Sequence, residues 1–444
     1  MFFILSKTLP QALDKGQGVW SAGGVKVPVT LSKAFGPEFE SLIARFSVEV
    51  GLLPEESELA NRRYLSRSVA PHVSKLSSLF NRKELEDRSA ALDPYWKESS
   101  NPVNLRLAYF LYFMPSNIYR MASIWAELAR LGFKWSARGP LRAVEFGAGP
   151  ATASCGIITG ERYAPLGLPV EGNFALIEQD RAMLSLGEKW FQAYRGDSQF
   201  ETRSFHRKIE LKRGFLPPSA PKFNLWLGSY FLNELSETPS EIARHLLDAW
   251  EKHLDDEGIA ILMEPALKLQ SRKILEIRKS LLEEAGRRGI DWLKVLLPCL
   301  GHQICGAFED PEDWCHEDVS WWRPPYFKIL DDLCGLDRKS LPFSYLVIAK
   351  SKRTREELLP ELAKGPADQR YRLVSPPHSE GQDLEFYVCG QDGKRRTRYR
   401  PTPAMVTITK ETRELALGRG DILEGAVLRG DSNSARIERI AKIK

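Results

Sequence analysis

The chain has 444 residues, more than one compact core usually holds, so we expect two or three domains. A hydrophobic fraction of 43% and a charged fraction of 27% are those of a folded globular protein and exclude disorder throughout. The net charge of +5 points to no class of partner by itself. The longest apolar run, Leu107 to Met114, has 8 residues, too few to cross a membrane.

The first residues, MFFILSKTLPQALDKG, lack the basic segment and the small-residue cleavage site of a secretory signal. We therefore expect a cytoplasmic protein with no membrane partner. Nothing in the sequence identifies an oligomeric interface, and we expect a monomer.

The predicted elements fall into three successive regions. Residues 1–138 are predicted to be mainly helical, because apolar side chains recur at spacings of three and four. Within 139–350, short apolar runs alternate with helix-length segments, which predicts an α/β fold with a doubly wound, Rossmann-like sheet and a cysteine-rich insertion at about 295–325. Within 351–444, a charged linker precedes short β-like pieces broken by Pro and Gly, which predicts a small basic β module.

The first predicted strand of the α/β region runs into a glycine-rich bend, EFGAGPATAS. Such a bend lets the backbone approach a ligand and point its amides at it. The residues of interest in it are Glu145, Gly147, Ala148 and Gly149. The next strand ends about 30 residues later at Glu178, whose carboxylate can accept hydrogen bonds from both ribose hydroxyls of an adenosyl ligand. Alternatively, the bend is kept for packing in a domain that has lost its ligand.

The bend and the carboxylate after the second strand together resemble those of class I S-adenosylmethionine-dependent methyltransferases. The third glycine of dinucleotide-binding loops is absent, and an adenosyl ligand without a pyrophosphate does not need it. The resemblance implies that Glu145, Gly147 and Gly149 border the methionine part of the cofactor, with Ala148 between the glycines, and that Glu178 binds the ribose.

Three polar residues lie where substrate-side groups of this fold usually sit, near the end of the fourth strand: Ser229, Tyr230 and Asn233. They are candidates for the catalytic side, although no catalytic residue can be named from the sequence. The alternative is structural: Ser229 ends the strand, Tyr230 packs and Asn233 caps the next helix.

Six cysteines in a chain without a secretion signal argue against a disulfide scaffold. Cys155 and Cys334 lie in predicted helices and are expected to pack in the core. By contrast, Cys299, Cys305 and Cys315 lie in a loop-like stretch where no core explains them. From spacing alone, these three thiolates could share a metal. A fourth ligand would come from one of three residues: His302, His316 or Cys389.

The motifs PCxxHxxC and DWCH, downstream of SYxxNEL and a strand ending in MEP, make the resemblance more specific. Over roughly 106–393 the chain resembles the bacterial and mitochondrial ribosomal small-subunit methyltransferase-like assembly factors. That resemblance implies a four-iron, four-sulfur (4Fe-4S) cluster as a second cofactor, with zinc as the alternative. Its ligands would be Cys299, Cys305, Cys315 and Cys389, and Trp314, Trp321 and Trp322 would shield it. The cluster would clamp the C-terminal module onto the α/β domain.

The sequence departs from the family pattern at two places. The usual Asp that opens the fourth strand is Asn224, and the glycine-rich sequence after the EP strand end is replaced by ALKL at 266–269. We expect the first change to leave cofactor binding intact and the second to alter the substrate side.

Basic charge is concentrated near the C-terminus. From Lys394 to Arg413 there are seven basic residues and one acidic residue. This strip predicts contacts with RNA phosphates, and the candidates are Lys394, Arg395, Arg396 and Arg398. A strand edge protected from aggregation by Lys and Arg is the alternative.

We therefore expect an rRNA methyltransferase or assembly factor that binds S-adenosylmethionine and an iron–sulfur cluster, with the small ribosomal subunit rather than DNA as its partner. A non-catalytic assembly or binding factor that uses the methyltransferase fold as a docking platform is the second hypothesis. A zinc-stabilised methyltransferase acting on a small molecule is the third.

Overall fold

The structure is a computed structural model. It describes the following residues, to which all structural statements refer: 31, 33–80, 102–302, 305–308, 311–363, 370–376, 378–380, 383–390, 397–399, 418–430 and 434–442.

The N-terminal region is helical, as predicted. Its helices are α1 (Pro37–Glu49), α2 (Arg62–Ser68), α3 (Ala70–Phe80), α4 (Pro102–Ala108) and α5 (Met114–Arg130). A π-helical turn, Tyr109–Phe113, joins the last two into one continuous element. The apolar run noted in the sequence is thus buried in this joint rather than in a strand. None of the described helices is long and apolar enough to cross a membrane.

The central sheet has eight strands. They are β1 (Leu141–Phe146), β2 (Glu171–Glu178), β3 (Gln199–His206), β4 (Phe223–Ser229), β5 (Leu254–Pro265), β6 (Leu293–Leu297), β7 (Glu317–Ser320) and β8 (Ser340–Lys350). Their order is β3-β2-β1-β4-β5-β8-β6, and β7 pairs with β8. The strands β1 to β5 are parallel, whereas β8 is antiparallel to both β5 and β6. The sheet is an open, mostly parallel α/β sheet with a Rossmann-like strand order and one antiparallel strand, so the predicted α/β, Rossmann-like fold class is confirmed.

Helices cover both faces of this sheet. They are α6 (Thr152–Tyr163), α7 (Arg181–Tyr194), α8 (Pro239–His253), α9 (Lys268–Arg287), α10 (Pro325–Cys334) and the short α11 (Arg355–Leu358). Side chains of a strand alternate between the two faces. In β1, Leu141 and Ala143 therefore join the core that includes α5, α6 and α7, while Val144 and Phe146 join the core that includes α8 and α9.

The C-terminal module is a small β structure, as predicted. Its strands are β9 (Arg370–Leu373), β10 (His378–Glu380), β11 (Asp383–Gly390), β12 (Thr397–Tyr399), β13 (Ile422–Gly430) and β14 (Ser434–Lys442). Their order is β10-β11-β12-β14-β13-β9, and β9 also pairs with β11. Five of the strands therefore close into a ring, the arrangement of a small barrel.

A buried ion-pair network joins this module to the rest of the chain. Arg372 of β9 is 3% exposed, and its guanidinium binds the carboxylates of Glu127 in α5 and Glu317 in β7. The hydroxyl of Tyr345 in β8 accepts from Arg372 Nη2 at 3.1 Å and donates to Glu127. The N-terminal helical region, the central sheet and the C-terminal module therefore all contact the guanidinium of Arg372.

Helices α5 and α6 pack closely, and this packing leads to a prediction about the stability of the protein. A Cβ atom at Gly156 in α6 would lie 2.5 Å from Met121 Cβ and 3.0 Å from the Ile118 carbonyl oxygen. We expect Gly156→Ala to lower the free energy of unfolding by about 1 to 3 kcal/mol, because the two helices must separate. Urea unfolding measures this.

Gly286 in α9 is the matched control, since a Cβ there would meet nothing within 4 Å. Gly286→Ala should raise the free energy of unfolding by up to about 1 kcal/mol through helix propensity. Equal effects of the two changes would contradict the packing described for α5 and α6.

Candidate functional site

The carboxyl ends of β1, β2, β4 and β5 meet at one edge of the sheet. In open α/β folds, ligands bind at this edge where the strand order reverses, which here is between β1 and β4. The predicted glycine bend follows β1 at this place. Gly147 and Gly149 have φ angles of 62° and 51°, a left-handed conformation that favours glycine. A Cβ at Gly147 would also lie 3.3 Å from Phe231 Cβ.

Glu145, at the end of β1, is fully buried and shapes this bend. Its carboxylate accepts from the backbone N–H groups of Ala153 at 2.8 Å and Ser154 at 2.9 Å, and from the Ser154 hydroxyl. It thereby satisfies free amides in the first turn of α6. Burial raises the pKa of Glu145 to about 7. The structure thus gives Glu145 a role in holding the start of α6, and its place beside a methionine group stays a prediction.

Glu178, at the end of β2, is hydrogen-bonded to the glycine bend. One carboxylate oxygen accepts from Gly149 N at 2.9 Å, and the other accepts from Gln179 N at 2.8 Å and Asp180 N at 2.9 Å. Burial raises its pKa. A carboxylate has about four acceptor positions, so a further hydrogen bond can be accepted.

The amides of the bend are less open to a ligand than the sequence suggested. Ala148 N donates to the Ile177 carbonyl oxygen at 3.0 Å, and Gly149 N donates to Glu178. Both bonds tie the bend to β2. They fix the shape of the bend, and the N–H groups of Ala148 and Gly149 are already used as donors.

The three substrate-side candidates lie together after β4. Ser229 ends the strand and is 8% exposed, and Asn233 is 9% exposed. Tyr230 has a φ angle of 58°, unusual for a residue other than glycine, and its N–H donates to the Met263 carbonyl oxygen at 2.7 Å. Such backbone strain often accompanies functional sites.

Glu264, at the end of β5, was not among the residues that the sequence singled out. It is 2% exposed and accepts from Leu232 N and Asn233 Nδ2, both at 2.7 Å. Burial raises its pKa to about 7. The signal was available, because Glu264 ends its strand as Glu145 and Glu178 end theirs.

Tyr109 of the π-helical turn also borders this edge. If Gly149 carried a Cβ atom, that atom would lie 4.0 Å from the hydroxyl oxygen of Tyr109. Burial, reinforced by the negative charges of Glu178 and Glu234, raises its pKa. No sequence pattern indicates that Tyr109 borders this edge, since it lies in the longest apolar run.

The two departures from the family pattern lie at different places. Asn224 Oδ1 accepts from Arg142 N at 2.8 Å, and its amide donates to the Pro140 carbonyl oxygen at 3.0 Å. Asn224 therefore joins the starts of β4 and β1 at the opposite edge of the sheet from the bend. In the ALKL segment, the Ala266 carbonyl oxygen accepts from Trp314 Nε1 at 3.0 Å, so this segment lies against the cysteine loop.

The four candidate metal-binding cysteines come from separate elements, and their charges interact. Burial raises the pKa of Cys315, and the charges of Cys305, Cys299 and Cys389 raise it further. Burial likewise raises the pKa of Cys389, and the charges of Cys299 and Cys305 raise it further. Within the described parts of the chain, however, no three Cys, His, Asp or Glu side chains are arranged to hold a metal ion.

Arginines hold the cysteine loop in place. Arg355 donates to the carbonyl oxygens of Leu296 at 3.2 Å and Cys299 at 2.7 Å, and to that of Leu300. Arg272 donates to the Asp313 carbonyl oxygen at 2.7 Å. The loop backbone on both sides of Cys305 is thereby fixed from α9 and α11.

The two histidines of the loop differ in their surroundings. His302 Nε2 accepts from Val295 N at 3.1 Å, so this nitrogen is already used. His316 stacks on Trp314 with ring centroids 6.1 Å apart, and burial lowers its pKa to about 4. Cys155 is fully buried and Cys334 lies against the core, as expected for packing cysteines.

The predicted RNA-binding strip cannot be placed. Lys394, Arg395 and Arg396 lie outside the described residues, and Arg398 is described only as part of the backbone of β12.

Comparisons with known proteins give similarity of fold alone. No protein family matches the chain, and no curated protein does. A ribosomal-protein methylase from Lactobacillus delbrueckii subsp. bulgaricus is 11% identical with a TM-score of 0.28, covering 52% of this chain and 80% of its own. A precorrin-6y methyltransferase from Geobacter metallireducens is 14% identical with a TM-score of 0.29, covering 52% and 89%. A SAM-dependent O-methyltransferase from Thermotoga maritima is 13% identical with a TM-score of 0.28, covering 53% and 66%.

The raised pKa of Glu264 makes the stability of the protein depend on pH. Because its pKa rises from 4.5 to about 7 on folding, the folded state favours the protonated form. Stability is therefore lost as pH rises from about 4.5 to 7, by an amount of roughly 3 kcal/mol at full ionisation. We expect Glu264→Gln, which cannot ionise, to gain stability relative to wild type between pH 5 and pH 8.

Urea unfolding at both pH values measures this gain. Glu171→Gln, at the exposed start of β2, is the control and should differ from wild type by the same amount at either pH. A difference for Glu264→Gln that does not change with pH would show that this carboxyl does not titrate in the range.

Proposed function

We propose that this protein is an S-adenosylmethionine-dependent methyltransferase that acts on the RNA of the small ribosomal subunit and carries an iron–sulfur cluster. The observation on which the proposal depends is the hydrogen bond from Gly149 N to Glu178. It joins a left-handed glycine bend to a carboxylate at the end of the neighbouring strand, at the point where the strand order reverses.

This arrangement supports an adenosyl ligand. Glu178 retains acceptor capacity for a ribose hydroxyl, and its bond to the bend keeps the carboxylate beside Gly147 and Gly149. A sugar hydroxyl is a neutral donor, and hydrogen bonds to a charged acceptor are the stronger kind. The bound cofactor would supply an activated methyl group on its sulfonium.

The residues after β4 would form the substrate side. Methyl transfer needs an in-line approach, and an enzyme contributes mainly by positioning the two reactants. Asn233 is held by its hydrogen bond to Glu264, and Tyr230 is fixed by its strained backbone and its bond to Met263. These bonds support a rigid surface beside the cofactor, with Glu264 as a positioning residue.

The cluster part of the proposal depends on the family resemblance and on four thiols whose charges interact. Within the described residues, no three donor side chains are arranged to hold a metal ion. Four cysteine thiolates are the donor set that a four-iron cluster takes. In this proposal Cys299, Cys305, Cys315 and Cys389 would hold it, and its role is to join the C-terminal module to the sheet.

The proposal that the substrate is RNA of the small subunit depends on two observations. One is the family resemblance, and the other is the basic excess of the C-terminal region, which has 20 Lys and Arg against 14 Asp and Glu from residue 350 onward. Turnover with purified immature small subunits tests it. Methyl transfer to their rRNA is the expected result.

A docking factor without turnover is the second candidate. Ser229 and Asn233 are buried, and the Asn233 amide donates a hydrogen bond to Glu264. Neither side chain is therefore open to a substrate, which favours this candidate. In the same assay, a docking factor would bind immature subunits without transferring a methyl group.

The cofactor proposal predicts the effects of two substitutions. Glu178→Gln removes a charged acceptor worth about 1.5 to 3 kcal/mol, so the affinity for S-adenosylmethionine should fall about ten- to a hundredfold. Gly147→Val should abolish binding, because φ is 62° and the side chain would meet Phe231. Calorimetry measures both, with Glu171→Gln as the control. Unchanged affinity in both variants would exclude this edge as the cofactor site.

The cluster proposal predicts the metal content of cysteine variants. Replacing any one of the four proposed ligands by Ser should lower the iron content and the visible absorbance of protein purified without oxygen. Cys334→Ser, on the apolar side of α10, should leave both unchanged. Loss of Cys389 should also increase proteolysis near 350–370, because the C-terminal module loses an attachment.

Two results would contradict the cluster. Stoichiometric zinc without iron would replace the cluster by a zinc site. Full metal content in all four single variants would show that these cysteines are only buried.

A further inference from the structure

Arg120 of α5 is a buried cation near the end of β4. It is 4% exposed, and its Nη1 donates to two neutral groups, Ser116 Oγ at 3.2 Å and Asn117 Oδ1 at 2.6 Å. Its Nε has no hydrogen-bond partner among the described residues. None of the ion pairs in the described part of the chain includes Arg120. A buried guanidinium without an ion-pair partner is costly.

A second arginine lies beside it. The guanidinium carbon of Arg338 is 5.0 Å from the ring centroid of Tyr112 and 5.4 Å from that of Phe113, one turn before Ser116 on the same continuous helix. Arg338 is partly exposed and forms no ion pair with the described residues. The adjacent carboxylate of Asp331 is already used, because it accepts from Tyr112 and Arg323.

The two guanidinium groups contact adjacent turns of one continuous helix, Arg338 at Tyr112 and Arg120 at Ser116. The charges of both lower the pKa of Tyr230, although burial outweighs them, and the charge of Arg338 lowers the pKa of Arg120. Two carboxylates act on this group from nearby elements: Asp318 of β7 on Arg120, and Glu264 on Tyr230. Neither forms an ion pair with either arginine. Like charges in a low-dielectric site repel strongly unless an anion lies between them.

We propose that Arg120 and Arg338 bind a phosphate group of the RNA substrate beside Tyr230. This inference rests on the proposed function and narrows it, since it names the part of the substrate that the strand end would recognise. The guanidinium fork matches a phosphate better than a lysine ammonium does, and two forks suit its several oxygens. Arg338, which is partly exposed, would bind the phosphate on the side that faces solvent. Arg120, which is buried, would bind it on the side that faces the protein core.

The Asp318 carboxylate provides the competing explanation. Its Oδ1 is buried and has no partner among the described residues, so a water between Asp318 and Arg120 could satisfy both groups. In that case Arg120 is structural. If Arg120 is structural, Asp318→Asn should leave RNA binding unchanged, whereas the phosphate proposal predicts tighter binding.

The test uses the full chain and a labelled single-stranded RNA of twelve uridines, titrated over a series of salt concentrations. Arg120→Gln and Arg338→Gln should each weaken binding about tenfold and lower the log–log salt slope by about 0.7. Arg142→Gln is the control for loss of one positive charge, because Arg142 pairs with Asp255 at the opposite edge of the sheet. Asp318→Asn should strengthen binding, since it removes a competing anion.

In the RNA titrations, four results would overturn the inference: no RNA binding by the wild type, equal salt slopes in all variants, the same loss in Arg142→Gln, or binding by Asp318→Asn that is no tighter than that of the wild type. If Arg120→Gln does not fold, Arg338→Gln, at a partly exposed position, decides alone.

Calorimetry with S-adenosylmethionine on the same proteins separates this inference from the proposed function. Affinity should be unchanged in the arginine variants. A loss there would assign the arginines to the cofactor carboxylate, whereas absence of cofactor binding in wild type would refute the proposed function alone.

Discussion

The arrangement of the whole chain depends on one buried guanidinium. Arg372 lies between Glu127 and Glu317, and all three are less than 10% exposed. Removing one partner of such a group costs about 3 to 5 kcal/mol, because the remaining charge is buried without compensation. The network specifies where the C-terminal module docks. Since Arg372 is the cross-strand partner of Cys389, docking also determines where that thiol lies.

The sheet edge is built on three carboxyl groups, of which two are buried and one is partly buried. Glu145, Glu178 and Glu264 end three different strands, and each accepts hydrogen bonds from the backbone of the segment that follows its own strand or a neighbouring one. The same side chains therefore determine both the loop shapes and the electrostatics of the edge. Their pKa values are raised because the loops that they hold also exclude water from them.

Much of the fold was predictable because its signals are local. Alternating apolar runs gave the α/β class, and the positions of Gly147 and Glu178 follow from short motifs at strand ends. The pairing of Arg372 with Glu127 was not predictable, since these residues are 245 positions apart and neither has a local pattern. Tyr109 was missed for another reason: an apolar run does not show which hydroxyl faces a ligand edge. The domain boundaries and the site assignments remain predictions.

The position of Arg372 late in the chain has a consequence for biosynthesis. Glu127 and Glu317 are synthesised before Arg372, and folding of the central sheet brings both carboxylates to one corner where Arg130 is paired with Glu127 but the guanidinium that binds both carboxylates is still missing. Their repulsion and their need for water keep that corner open until β9 is made. The junction is thus completed by a residue that is synthesised after both of its carboxylate partners, and a nascent protein interrupted before residue 370 would retain a hydrated, negatively charged defect there.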